Sequence, residues 1–182
     1  MNRFDNDRGQ FVLLAGVVVA LALVAMLVAY LQVGYHADVA SADDERTVTD
    51  GRFYLERATH ESTRLIRGSY AWHERDQAVT AVRERLAPRL STLERSRVAD
   101  GVVYQTAFNK TAASAWARRN CPSGPDREFG RCEAARGVVV QKRDGRTLAL
   151  AVGYDLNVTT PDSETHLTVM VEASDSDPSS GS

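Results

Sequence analysis

The chain has 182 residues, with 22 Lys and Arg against 24 Asp and Glu, for a formal net charge of -2. That balance sets up no strong field to attract nucleic acid, and the length allows one domain beyond a short anchor. Hydrophobic residues make up 43% of the chain, ordinary for a globular protein, but a large share of them stands in one early block.

Residues 1–10 read as a short cytoplasmic leader. The block from Phe11 to Val33 then carries no charge. A helix rising 1.5 Å per residue over this block is about 35 Å long, against a hydrocarbon core of about 30 Å. The expectation is a transmembrane helix over 11–35 in contact with membrane lipid, with Tyr30 and Tyr35 at the interface. Arg3 and Arg8 precede the block, and nothing basic follows until Arg46, whereas Asp38, Asp43, Asp44 and Glu45 do. Basic residues stay on the cytoplasmic side, so this pattern predicts a single-pass protein of the cell membrane, N-terminus cytoplasmic and bulk extracytoplasmic. Ala15, Ala22, Ala25 and Ala29 fall near one helical face, which suits close helix–helix contact.

Residues 36–99 read as a helical region. Val39 to Asp50 predicts a helical extension and then a break, with Asp50 capping a helix over Arg52 to Arg67 that Gly68 ends. A second helix begins near Glu74, where Val79, Val82, Leu86, Leu90 and Leu93 recur every three or four residues. Pro88 interrupts it and predicts a kink or two short helices. Asp100-Gly101 is a turn signal.

Residues 100–173 read as a sheet region. Val102 to Phe108 favours a strand, and Thr111 to Arg119 a short helix capped by Thr111 with Trp116 turned inward. Gly137 to Arg143 predicts a strand, and Asp144-Gly145 a tight hairpin turn with positive φ at both residues. Thr147 to Thr159 alternates, placing Leu148, Leu150, Val152, Tyr154, Leu156 and Val158 on one face. Pro161-Asp162-Ser163 turns the chain into His166 to Ala173, with Leu167, Val169 and Val171 in register. The fold class is α+β: amphipathic helices on an antiparallel sheet of three or four strands, ending in a meander. Ser174 to Ser182 has the composition of a disordered tail.

Charge is uneven along the chain. Arg52 to Arg97 holds ten Arg against six acids, whereas Thr147 to Ser182 holds six acids and no Lys or Arg. The two stretches either face each other within one domain, are merely solvated, or form complementary surfaces between copies.

Cys121 and Cys132 bound a Pro- and Gly-rich loop, which in an exported domain suggests a disulfide. A zinc site fails on ligand count. Asn109-Lys110-Thr111 and Asn157-Val158-Thr159 match the glycosylation acceptor pattern. The chain has no G-x-S-x-G, no P-loop and no dinucleotide-binding glycine pattern. His60-Glu61 and His73-Glu74 open like a zinc-protease helix, but Arg64 and Gln77 stand where its second His belongs. Residue chemistry therefore points to a non-enzymatic protein, with no catalytic residues, cofactor or metal.

Asp7-Arg8-Gly9-Gln10 stands directly before the apolar block. This resembles the leader of archaeal type IV pilins and archaellins, and the full layout resembles haloarchaeal pilin-like membrane proteins. The resemblance implies leader cleavage between Gly9 and Gln10, and a mature chain whose apolar helix forms a filament core. Many bacterial-type pilins carry Glu five residues into the mature chain, and the matching position here is Leu14. The functional expectation is a pilin-like surface protein acting in assembly or adhesion, with self-association or other envelope proteins as partners. The alternative is an uncleaved anchored receptor or accessory subunit of an envelope complex.

Overall fold

A computed structural model describes the backbone of residues 4–124 and 129–173, and their side chains except at 4–15 and 31–42. The chain divides into two compact units, one ending at Glu45 and the other beginning at Arg46. Among the described residues the elements follow in order: α1 (Phe4–Arg64), a 3-10 turn (Trp72–Glu74), α2 (Arg75–Arg95), a 3-10 turn (Val98–Asp100), β1 (Val103–Phe108), α3 (Lys110–Asn120), β2 (Phe129–Ala135), β3 (Val138–Arg143), β4 (Arg146–Thr159) and β5 (Glu164–Glu172).

The expectation of a transmembrane helix over 11–35, and with it a single-pass placement in the cell membrane, is not met. Among the described residues no helix is long and apolar enough to cross a membrane. The apolar stretch with described side chains, Gly16 to Tyr30, is helical and exposed. The side chains of 11–15 and 31–35, the rest of that expectation, lie outside the described residues, as do the expected tail from Ser174 and part of the Cys-bounded loop, 125–128.

The expected break before Arg52 is also absent, since α1 runs through Asp50 to Arg64. Gly51, Leu55, Ala58, Thr59, Ser62 and Thr63 form one buried stripe, and that burial holds the helix through a polar stretch with weak intrinsic preference. Gly68 follows with φ +70°, the left-handed conformation suited to a helix exit. Likewise α2 is one helix through Pro88, with Ala78, Val79, Val82, Leu86, Leu90 and Leu93 buried. The carbonyl that Pro88 leaves without its helical donor is that of Glu84, which is exposed and open to water.

Among the described residues the sheet has five antiparallel strands rather than three or four, in the order β1-β4-β3-β2 with β5 also on β4. The unforeseen strand is β2, which pairs with β3. β4 is its spine. Along one edge it pairs first with β3, as far as Val152, and then with β1, from Tyr154; along the other it pairs with β5 from Ala151 to Thr159. Asp144 and Gly145 form the expected turn at φ 48° and 74°, and Arg136-Gly137 makes a second one between β2 and β3 at φ 52° and 89°.

The strict alternation expected for β4 breaks near Leu150. Register steps from Val139↔Ala151 to Val140↔Ala149, leaving Leu150 as the extra residue of a bulge. An inserted residue turns the following side chains to the other face. Val152, Tyr154, Leu156 and Val158 therefore enter the main core with Leu55, Val79, Leu86 and Tyr104, beneath α1 and α2. Leu148 and Leu150 lie on the opposite face, with Ala113, Trp116 and Ala117 of α3.

Gly153 stands where β4 changes partners. Its carbonyl accepts from the Asn109 amide at 2.8 Å, and its own amide donates to Gly137 O at 2.8 Å. A Cβ there would meet Asn109 O at 2.7 Å, Met170 Sδ at 3.0 Å and Ala113 N at 3.3 Å, so only glycine lets α3 begin this close to the sheet.

Two buried phenols tie the helices to the sheet. Tyr154 Oη and Thr59 Oγ1 are 2.7 Å apart, and Tyr104 Oη donates to Thr47 O at 2.9 Å. Burial pushes both phenols above their ordinary pKa, Tyr154 the further, with the Thr59 hydrogen bond opposing the shift at Tyr154 and Arg97 opposing it at Tyr104.

Candidate functional site

Three surfaces bear on function. The first is the helical stretch Gly16 to Tyr30, every residue of which is exposed. Its large apolar side chains range from 49% exposed at Val28 to 78% at Tyr30.

The second is the half of the sheet that α3 leaves open. In β1, β4 and β5 the side chains opposite the core form cross-strand rows: Gln105, Asn157 and His166 in one, Ala107, Asp155 and Thr168 in the next. Asp155 Oδ1 accepts from Asn109 Nδ2 at 2.6 Å and from Thr168 Oγ1 at 2.9 Å. Asn157 Nδ2 donates to Glu164 Oε1 at 3.0 Å and to Gln105 Oε1 at 3.3 Å, while its Oδ1 is buried without a partner. His166 Nε2 lies 3.4 Å from Glu164 Oε1. These rows line an open depression of about 390 Å³.

The third is a cleft of about 430 Å³ between α3 and β2, beside Cys121 and Cys132. The two cysteines form a disulfide, with Cα atoms 5.7 Å apart. Gln141, fully buried, holds the loop by donating to Pro122 O and Gly130 O, each at 2.8 Å.

Of the residues singled out in the sequence, Asn109 proves to be the N-cap of α3 in place of Thr111. Its Oδ1 accepts from the Ala112 amide at 2.7 Å, and its Nδ2 is engaged by Asp155. Asn157 belongs to the open sheet face. Both acceptor asparagines thus carry structural hydrogen bonds. Gly9 and Gln10 fall within α1, and their side chains lie outside the described residues. The histidines are dispersed: His60 Nε2 meets Glu172 O at 2.8 Å on β5, His73 is exposed, and the side chain of His36 lies outside the described residues. Among the described residues no group of His, Cys, Asp or Glu is arranged to hold a metal ion. Sequence reasoning missed the open polar face. Its signal was the alternation of β4 and β5 itself, whose second face reads Asp155, Asn157, His166 and Thr168.

This architecture defines an α+β protein with helices on both faces of an antiparallel sheet, a disulfide beside one helix and an exposed apolar helical segment. The chain belongs to DUF7261, a family of unknown function, which it matches over residues 5–172. No curated protein and no solved structure matches it.

Proposed function

We propose that this protein is a non-enzymatic, pilin-like structural subunit, acting in assembly or adhesion at the cell surface, whose apolar helical segments join in multi-copy contacts. The observation that carries this reading is the unbroken exposed surface from Gly16 to Tyr30. Contiguous apolar surface of this kind marks an interaction site. Ala22, Ala25 and Ala29 follow one another at spacings of three and four, the rhythm of a helix–helix seam, and their small side chains permit close approach. The disulfide fits a place outside the reducing cytosol. The leader-like Asp7-Arg8-Gly9-Gln10 agrees with the same reading.

A single new thiol tests it, because the described cysteines are both in the disulfide. In Ala25→Cys, mild oxidation of the protein in its native cells should yield a covalent dimer of this chain. A cross-link to an unlike protein would overturn the reading in favour of an accessory subunit of an envelope complex. A chain that stays monomeric would overturn both. Intact mass from the same preparation reads the leader: a chain beginning at Gln10 supports pilin-type processing, and one that retains Gly9 opposes it.

A further inference from the structure

The second unit carries opposite charge on its two outer surfaces. On the helical side, Arg57 and Arg64 stand seven residues apart on α1 and are exposed. Seven residues make about two turns, so they share one face. It is the face turned away from the buried Leu55, Ala58 and Ser62. Phe53, one turn before Arg57, belongs to it and is 62% exposed. Asp50, seven residues before Arg57, is an exposed acid at the N-terminal end of this face; beyond it Glu56 and Glu61 are paired with the neighbouring Arg52 and Arg89, which leaves the outward stripe from Phe53 to Arg64 basic.

The open sheet face points the other way, since its side chains alternate with those buried beneath α1 and α2. Asp155 and Glu164 lie on it and Asp162 lies in the turn beside it, all exposed. From Thr147 onward there is no Lys or Arg to offset them.

We propose that the open β1–β4–β5 face of one copy docks on the Phe53–Arg57–Arg64 stripe of α1 in the next, with Phe53 entering the depression between the rows and the guanidiniums meeting Asp162 and Glu164. This inference rests on the assembly reading above and deepens it. The two surfaces are different and stand on opposite sides of one sheet, so the contact is head-to-tail and propagates instead of closing into a pair. It joins the second units independently of the apolar helices, and its charges are exposed, so it weakens with salt over a Debye length of about 10 Å at 0.1 M.

The test uses the full chain with a benzophenone amino acid in place of Phe53. Mixing isotope-labelled and unlabelled protein separates links between copies from links within one. In the otherwise unchanged protein, photolysis at low salt should link residue 53 to β4 or β5 peptides of another copy. The pairs R57E/R64E and D162R/E164R should each reduce that link at least tenfold when alone. Mixed together they should restore it, because each supplies the charge the other lost. All four positions are exposed, so circular dichroism should be unchanged. Equal yield in all preparations, or no restoration in the mixture, would overturn the proposal. If the Ala25→Cys dimer persists in that case, the assembly reading stands without this contact. If both links fail, the assembly reading falls too.

Discussion

Replacing Gly153 with Ala should be among the most costly small changes in the protein. The added methyl sits 2.7 Å from the Asn109 carbonyl and 3.3 Å from the Ala113 amide. Both are backbone atoms at the start of α3, and neither can rotate away as the Met170 thioether at 3.0 Å can. Relief requires α3 to lift, which strains or breaks the 2.8 Å bond from the Asn109 amide to Gly153 O. Overpacking costs about 1–3 kcal/mol and a lost net hydrogen bond about 0.5–1.5, so the change should destabilise by about 2–4 kcal/mol. Urea unfolding followed by tryptophan fluorescence in a Trp72→Phe background, which leaves only Trp116, buried on α3, reads the affected contact. With a urea slope of about 2 kcal/mol per molar, the midpoint should fall by about 1–2 M. Gly145→Ala is the control: that glycine has φ +74° but nothing within 4 Å of its Cβ position, so only backbone strain of about 1–2 kcal/mol is expected. A G153A variant within about 0.5 kcal/mol of the parent, or no worse than G145A, would refute the argument that glycine is needed for the close approach of α3.

Burial holds the Tyr154 phenol above its ordinary range in the folded state, while an unfolded Tyr ionises near 10. Stability is therefore full below that pH and falls as pH rises beyond it, by up to about 1.4 kcal/mol per unit. Tyr154→Phe should remove this residue's share of the alkaline slope, leaving the smaller share of Tyr104, at some cost in stability at neutral pH, and an unaltered pH profile would count against it. Replacing Cys121 and Cys132 together with Ser should lower stability by about 2–3 kcal/mol in urea, and a reductant should do the same to the parent; no change in either would show that the loop needs no cross-link. The Asn109 side chain is engaged at both polar atoms, so peptide mass spectrometry should find no glycan there, and Asn109→Ala should cost about 1–2 kcal/mol or more through loss of the cap together with the bond to Asp155. A glycosylated Asn109 peptide from the folded protein would contradict that assignment.

The strongly patterned parts of the fold were legible in the sequence because local chemistry decides them. Asp144-Gly145 had to turn, and Leu86, Leu90 and Leu93 had to share a buried face. The misses fell where tertiary contacts override local preference. Phe129 to Ala135 contains Gly, Arg, Glu and a cysteine and reads as no strand; pairing with β3 and the link from Cys132 to Cys121 make it one. Leu150 looked like an ordinary alternating residue, and its bulge exists only in the pairing of β4 with β3. Thr111 was as good a local cap as Asn109, and the partner that fixes Asn109, Asp155, comes from a strand far along the chain. The apolar block promised a membrane span because composition alone cannot say which surface will cover it. The open sheet face went unread for a related reason: Asp155, Asn157, His166 and Thr168 become neighbours only once β4 and β5 pair.

The central place of β4 also sets an order in time. The apolar faces of α1 and α2 are made early, but the residues that cover them come late: the Thr59–Tyr154 contact spans 95 positions and the His60–Glu172 contact 112. Contacts so distant in sequence close slowly, after the local β3–β4 and β4–β5 hairpins have formed. A nascent chain therefore presents Leu55, Val79 and Leu86 uncovered until its last strands emerge, a state prone to association with other chains. Delayed closure makes the time between synthesis of α2 and synthesis of β4 the interval in which this protein most needs a chaperone.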